Sequence, residues 1–198
     1  MRCVIVLNGD YTENFEFRRG DHIIACDGAY QKLLDHGVSV SETLGDFDSL
    51  GYIPDGASVF PVEKDMTDGE LALTKAAEKG FKEIAFISAG GKRDDHFLGN
   101  LSLLIKAFEL GLNASLYTNY SVIRYLGEGD HGFIVSAGKT VSFITTGVAE
   151  ISRSEGLKYP FDKTVLKSSS TLGISNVCIK DEISFTVKSG NVFFIINI

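Results

Sequence analysis

A strand, a polar loop, a helix and a second strand follow one another in EIAFISAGGKRDDHFLGNLSLLIKAFELGLNASLYT, residues 83–118. The apolar runs at 83–88 and 114–118 have the length of short buried strands, and residues 96–110 have the apolar spacing of an amphipathic helix. Gly111 follows the helix, where a left-handed C-terminal cap is expected. This segment predicts two parallel strands joined by a helical crossover.

The same alternation extends back to the N-terminus. Further strands and helices are predicted at 3–7, 22–26, 29–36, 58–62 and 68–79. Strands that alternate with helices form a mostly parallel sheet with helices on both faces, and ligands bind at the carboxyl ends of its strands. We therefore predict a Rossmann-like α/β domain over residues 1–128, with the functional site at that edge.

The character of the sequence changes near Gly129. Short runs rich in Val, Ile, Phe and Thr follow, separated by glycine and serine turns, at 133–135, 140–145, 149–152, 183–187 and 192–196. No amphipathic helix lies between them. Residues 129–198 are therefore predicted to form an all-β domain, a small sandwich.

Composition excludes several functional classes. The formal net charge of −7 and the pI of about 5.1 argue against a nucleic-acid partner, which requires a basic face. No stretch has transmembrane length, and the sequence enters a strand-like run without a signal peptide. Three cysteines without metal-type spacing fit a reducing compartment. We expect a cytoplasmic protein with no membrane partner.

The cluster GDFDS at 45–49 places two aspartates two residues apart. In an extended chain, Asp46 and Asp48 point to one side and Phe47 points to the core. Because two neighbouring carboxylates repel each other, one interpretation is that a divalent cation lies between them. Mg²⁺ is the expected ion, since it prefers oxygen ligands. The other is a solvent-facing turn, since Asp, Gly and Ser are turn residues.

A second cluster, KDMTD at 64–68, leads into a predicted helix. Thr67 and Glu70 fit a capping box, and Asp68 suits the positive end of the helix dipole. Helix capping does not explain Lys64 and Asp65, which precede the capping residue Thr67. Asp68 can serve both as a helix-terminal residue and as a ligand.

The third cluster, GKRDDH at 91–96, also joins a strand to a helix. Arg93 and the exposed amides of the loop are suited to anionic oxygens, the arginine in bidentate fashion. Asp95 is alternatively an N-cap, and His96 alternatively a packed side chain. Neither of the two standard glycine-rich nucleotide fingerprints is present.

Six short motifs in one order extend across nearly the whole chain. They are ACDGA at 25–29, GDFDS at 45–49, KDMTD at 64–68, Arg93-x-Asp95-His96 with Asn100, GLKYP at 156–160 and GISN at 173–176. Each motif alone is weak, but the ordered set is specific. It resembles the thiamine pyrophosphokinase family.

The resemblance implies an α/β domain, a β-sandwich domain and a homodimer with active sites at the subunit interface. It implies that ATP and thiamine give thiamine diphosphate and AMP, with Mg²⁺ as the metal. Asp46, Asp48 and Asp68 are assigned to the metal and, with Arg93, to catalysis. The expected ATP side comprises Asp27, Gly28, Lys64, Asp65, Thr67, Asp95, His96 and Asn100. The expected thiamine side comprises Tyr159, Ser175 and Asn176.

Two positions depart from the family pattern, because Ser88 and Lys92 stand where glycines are expected. Two other functions also remain open. A phosphohydrolase with a DxD signature is disfavoured, because its nucleophile would follow the first strand, which ends here at Asn8-Gly9. A non-catalytic nucleotide- or thiamine-binding module need not retain the three metal carboxylates. Asp68 or Asp48 is the candidate proton acceptor.

Overall fold

The computed structural model describes residues 1–198. The chain divides into two compact units, Met1–Asn119 and Tyr120–Ile198. The first contains three helices and six strands, whereas the second contains strands only. This confirms the predicted order of a mixed α/β part followed by an all-β part. Strand β7 (Ser121–Leu126) belongs to the second unit, although the predicted domain limits would assign it to the first.

The six strands of the first unit are all parallel. They are β1 (Arg2–Val6), β2 (His22–Cys26), β3 (Glu42–Gly45), β4 (Ser58–Val59), β5 (Glu83–Ile87) and β6 (Asn113–Tyr117). Their order is β6-β5-β1-β2-β3-β4, with Val4 opposite both Ile23 and Ala85. The order reverses at β1, so the loops after β1 and β5 diverge and leave a crevice at the carboxyl edge. Strand β3 escaped prediction.

Three helices flank this sheet: α1 (Ala29–Asp35), α2 (Asp68–Glu78) and α3 (Asp94–Glu109). The Thr67 half of the predicted capping box is confirmed, because the Thr67 hydroxyl accepts from the Glu70 amide at 3.3 Å, whereas the Glu70 carboxylate pairs with Lys106. Gly80 and Gly111 end α2 and α3 with φ of 83° and 67°, as predicted. The N-cap interpretation of Asp95 is wrong, because α3 begins at Asp94, which places Asp95 inside the first turn.

Packing of α1 against the sheet determines which of its side chains reach the carboxyl edge. Ala29 and Leu33 are fully buried and share a core cluster with Val4, Val6 and Ile23. Since residues four apart lie on one face of a helix, this pair anchors α1 on β1 and β2. Cys3 and Cys26 are also buried and free.

The second unit consists of two antiparallel sheets. Its remaining strands are β8 (Gly129–Ile134), β9 (Thr140–Ile144), β10 (Val148–Glu155), β11 (Asp162–Lys167), β12 (Asn176–Val177), β13 (Glu182–Ser189) and β14 (Val192–Asn197). The strand orders are β7-β14-β9-β12 and β11-β10-β13-β8. Phe143, Phe185 and Phe194 form one buried aromatic cluster, with ring centroids 4.9–5.2 Å apart. Both sheets therefore contribute to one core.

No helix in the structure combines the length and the apolar composition needed to cross a membrane.

Candidate active site

A cleft of about 620 Å³ opens at the carboxyl edge of the parallel sheet. Its walls come from the ends of β1, β2 and β5 and from the starts of α2 and α3. The cleft is lined by two predicted catalytic residues, Asp68 and Arg93, and by most of the predicted ATP side: Asp27, Lys64, Asp65, Thr67, Asp95, His96 and Asn100. Gly28, Asp46 and Asp48 do not line it. The lining residues come from three separate sequence motifs, so the fold gathers them at the edge where the sequence placed the site.

Three aspartates beside this cleft have the arrangement of a cation site. Carboxylate oxygens of Asp27, Asp46 and Asp48 lie within 4.8 Å of one another. Asp27 is only 8 % exposed, and its Oδ1 is buried without a hydrogen-bond partner. A buried carboxylate oxygen that lacks a partner is costly, and a hard cation is a natural partner for it. The donor set therefore fits Mg²⁺.

The backbone that carries two of these aspartates is not extended, contrary to the prediction. Phe47 has φ of 60° and is 3 % exposed, and the Asp48 amide donates to Asp46 Oδ1 at 3.3 Å. A left-handed residue turns the chain, so Phe47 still enters the core while both carboxylates remain within reach of Asp27. The pattern was right about the side chains and wrong about the backbone.

Lys64 lies between two of the predicted metal ligands. Its ammonium is 3.2 Å from Asp46 Oδ2 and 3.3 Å from Asp68 Oδ1. Burial alone would raise the pKa of Asp46, but hydrogen bonds from the Asp48 amide and Lys64 lower it below its usual value. Burial raises the pKa of Asp68 in spite of Lys64. Asp68 lies outside the three-aspartate cluster, so its role as a metal ligand stays a prediction.

Arg93 and Asp95 form an exposed pair at the start of α3. Arg93 donates two hydrogen bonds to the Asp95 carboxylate, at 3.0 and 2.6 Å. The hydrogen bond from Arg93 lowers the pKa of Asp95 to about 2. His96 is exposed beside them, and Asn100 donates to the carbonyl of Ala89 at 2.8 Å. The guanidinium lies at the surface of the cleft, where a phosphate can exchange for the carboxylate.

Sequence reasoning missed two residues behind the cluster. Asn8 donates to Asp27 Oδ2 at 3.0 Å, and Lys32 contacts Asn8. Ser49 lies in a motif that was recognised, and its hydroxyl donates to the same Asp27 oxygen at 2.6 Å. Asn8 carried one available signal, because it is polar and stands just after a buried strand at the predicted ligand edge. Lys32 carried none, since it occupies an ordinary helical position.

The predicted thiamine-side residues lie in the second unit. Asn176 is 4 % exposed, and its amide bonds the Tyr159 backbone, donating to the carbonyl at 2.6 Å and accepting from the amide at 3.1 Å. Tyr159 is exposed, and both residues line a cleft of about 250 Å³ that also contains Leu172 and Ile174. Ser175 has φ of 60° and lies outside that cleft's lining.

Comparisons with known proteins agree with the motif order. Residues 16–116 match the family model described as the catalytic domain of thiamin pyrophosphokinase, and residues 129–192 match its vitamin B1 binding domain. The thiamine pyrophosphokinase of Bacillus subtilis is 32% identical over 183 residues, covering 87% of this chain and 85% of that protein.

Solved structures give the same result. The crystal structure of the Bacillus subtilis enzyme superposes with a TM-score of 0.87 at 28% identity, covering 100% of this chain and 99% of that one. The thiamin pyrophosphokinase of Geobacillus thermodenitrificans gives 0.87 at 29% identity, with coverage of 100% and 98%. This chain therefore belongs to the thiamine pyrophosphokinase family and is an enzyme of that type.

Proposed function

We propose that the cleft of the first unit binds ATP with Mg²⁺ and that the chain transfers the pyrophosphoryl group of ATP to the hydroxyl of thiamine, releasing AMP. The observation that carries this proposal is the three-aspartate cluster, with its unpartnered Asp27 oxygen, at the carboxyl ends of β2 and β3. Acidic ligands alone would repel a nucleotide. Lys64 and Arg93 nearby supply the positive charge that phosphates require.

The proposed roles follow from charge and position. Asp27, Asp46 and Asp48 hold the cation, which when bound neutralises the charge of the phosphate oxygens. Lys64 and Arg93 bind phosphate oxygens that the aspartates would repel. Pyrophosphoryl transfer asks the protein chiefly for alignment and charge neutralisation, so the remaining residues of the cleft act by holding ATP in line with the thiamine hydroxyl.

Asp68 is the better candidate to accept the hydroxyl proton. Its pKa is raised by burial, whereas that of Asp46 is lowered by its hydrogen bonds. A carboxylate with a raised pKa binds a proton more readily, and enzymes use such shifts to divide roles between neighbouring acids. Asp68 is also only partly neutralised, because it shares Lys64 with Asp46.

The remaining roles are proposed on family grounds. Tyr159, Ser175 and Asn176 bind thiamine from a β-sandwich domain over residues 129–198, and residues 1–128 form a Rossmann-like catalytic domain. The two sheets that share one core in the second unit support a sandwich. A homodimer with active sites at the subunit interface and a cytoplasmic location complete the proposal. Three buried, free cysteines are compatible with that location.

The nucleotide product tests this function. Purified protein is incubated with ATP, thiamine and Mg²⁺, and the products are separated by ion-exchange chromatography. We expect equal amounts of AMP and thiamine diphosphate, and no reaction when EDTA removes the metal. ADP as the product would contradict pyrophosphoryl transfer, and phosphate release without thiamine would indicate a phosphohydrolase.

A further inference from the structure

We propose that Lys32 and Asn8 are positioning residues, with Lys32 fixing the amide of Asn8 and Asn8 in turn orienting Asp27 toward the cation. This inference rests on the proposed metal site. It assigns a role in the reaction to a helix residue outside every motif of the family resemblance.

Lys32 directs three hydrogen bonds at the end of β1. Its ammonium donates to the Asn8 carbonyl at 3.2 Å, to Asn8 Oδ1 at 3.0 Å and to the Gly9 carbonyl at 2.6 Å. An ammonium has three N–H donors, and these acceptors use all of them. These three bonds fix the half-buried Lys32 side chain. The helix that carries it is itself anchored by Ala29 and Leu33.

This contact determines which way the Asn8 amide faces. Lysine can only donate, so the oxygen of the Asn8 side chain must face Lys32 and its nitrogen must face away. The nitrogen then donates to Asp27 Oδ2 at 3.0 Å. With the amide reversed, two donors would meet at Lys32 and two acceptors would meet at Asp27. Lys32 thus excludes the one orientation that would repel the metal ligand.

Asp27 is held by one oxygen so that the other is available. Oδ2 accepts from Asn8 and from Ser49, whereas Oδ1 has no partner and belongs to a residue more than nine-tenths buried. Gly28 leaves room for both donors, because a Cβ there would lie 2.8 Å from Ser49 Oγ and 3.0 Å from the Asn8 amide. Asn8 and Ser49 pack closely against Gly28 and both hold Oδ2, which leaves Oδ1 as the oxygen free to bind a cation.

Binding of Mn²⁺ alone, measured by electron paramagnetic resonance on the full chain at about pH 7, tests this chain of contacts. Burial and the neighbouring Lys92 lower the pKa of Lys32 to about 8, so the ammonium still predominates at about pH 7. Loss of a partner behind a metal ligand typically costs about 10–100-fold in affinity. We expect Lys32→Met and Asn8→Leu each to weaken Mn²⁺ binding by about 10-fold.

A double-mutant cycle shows whether Lys32 acts through Asn8. Residues that act in series are non-additive, so Lys32→Met should add less than about twofold in the Asn8→Leu background. Lys106→Met is the matched control, because Lys106 is likewise a half-buried helical lysine, but its ammonium contacts Glu70 and no residue behind Asp27. Its Mn²⁺ affinity should equal that of the wild type.

The outcomes separate this inference from the metal site. Wild-type affinity in folded Lys32→Met overturns the positioning role, while loss of Mn²⁺ binding in Asp48→Asn would still support the metal site. Equal losses from Lys32→Met in both backgrounds overturn the path through Asn8. A wild-type protein that binds no Mn²⁺ overturns both proposals. If Lys32→Met does not fold, Gly28→Ala replaces it, since it displaces Asn8 and Ser49 directly and should weaken Mn²⁺ binding as well.

Discussion

Carboxylates at the two ends of the parallel sheet differ in how many cationic side chains contact them. At the amino end, Glu42 accepts contacts from Lys75, Lys79 and His22, and these hydrogen bonds lower its pKa to about 2 against the effect of burial. At the carboxyl end, one ammonium, that of Lys64, is shared between two carboxylates beside an acidic cluster. A carboxylate that only stabilises the fold receives an excess of cations. The deficit at the other end is the charge that a bound cation would supply.

The backbone at the carboxyl edge is also unusual. Four residues just beyond strands β2, β3 and β5 have positive φ although they carry side chains, namely Asp27, Phe47, Ser88 and Lys92. Two buried polar atoms without a partner, Asp27 Oδ1 and Ser88 Oγ, lie at the same edge. Strained backbone of this kind costs free energy and persists at functional sites, where it aims side chains. The carboxyl edge is therefore organised for binding at some cost in stability.

The largest expected effect comes from removing charge at the carboxyl end. Asp48→Asn deletes one carboxylate of the cluster, so the turnover rate should fall by at least about 100-fold in a coupled AMP assay. Stability toward urea should not decrease, because a mutual repulsion is relieved. Asp55→Asn, an exposed aspartate outside the cluster, is the control and should keep wild-type turnover. Near-normal turnover in Asp48→Asn would contradict the view that the carboxyl end lacks the charge of a bound cation.

Local signals in the sequence were sufficient for much of this edge. The helix cap at Thr67 and the glycines after α2 and α3 were predictable, since each depends on neighbours within a few residues. The order of the motifs identified the family. The alternation of strands with amphipathic helices showed that the polar clusters lie in loops after strands, where ligands bind.

What the sequence could not predict depends on contacts between distant residues. Asn8 and Lys32 meet only because α1 packs on β1, so no spacing rule connects them. The cluster joins Asp27 to Asp46 and Asp48 across two adjacent strand ends, and Asp68 lies on the far side of Lys64. The left-handed Phe47 was missed because period-two alternation assumes an extended chain.

The amino end is expected to be important for stability and not for catalysis. Glu42→Gln leaves two lysines without their partner and should lower the free energy of unfolding by about 2 kcal/mol at neutral pH. Because the folded pKa is about 2 and the ordinary value is 4.5, this contribution is present above about pH 4.5 and disappears as the pH falls toward 2. Urea unfolding of wild type and variant should therefore converge in acid. A constant difference at all pH values would contradict this origin.

The smallest expected effect comes from relieving strain at the carboxyl end. Ser88 is 1 % exposed, has φ of 55° and carries a hydroxyl without a partner. Ser88→Gly removes both costs and keeps the bond from its amide to the Thr12 hydroxyl at 2.9 Å. Against the greater flexibility of glycine in the unfolded chain, we expect a net stabilisation of about 1 kcal/mol in urea unfolding. Destabilisation would mean that Ser88 has a partner in the folded protein, and the strain at this edge would then be smaller than the backbone angles indicate.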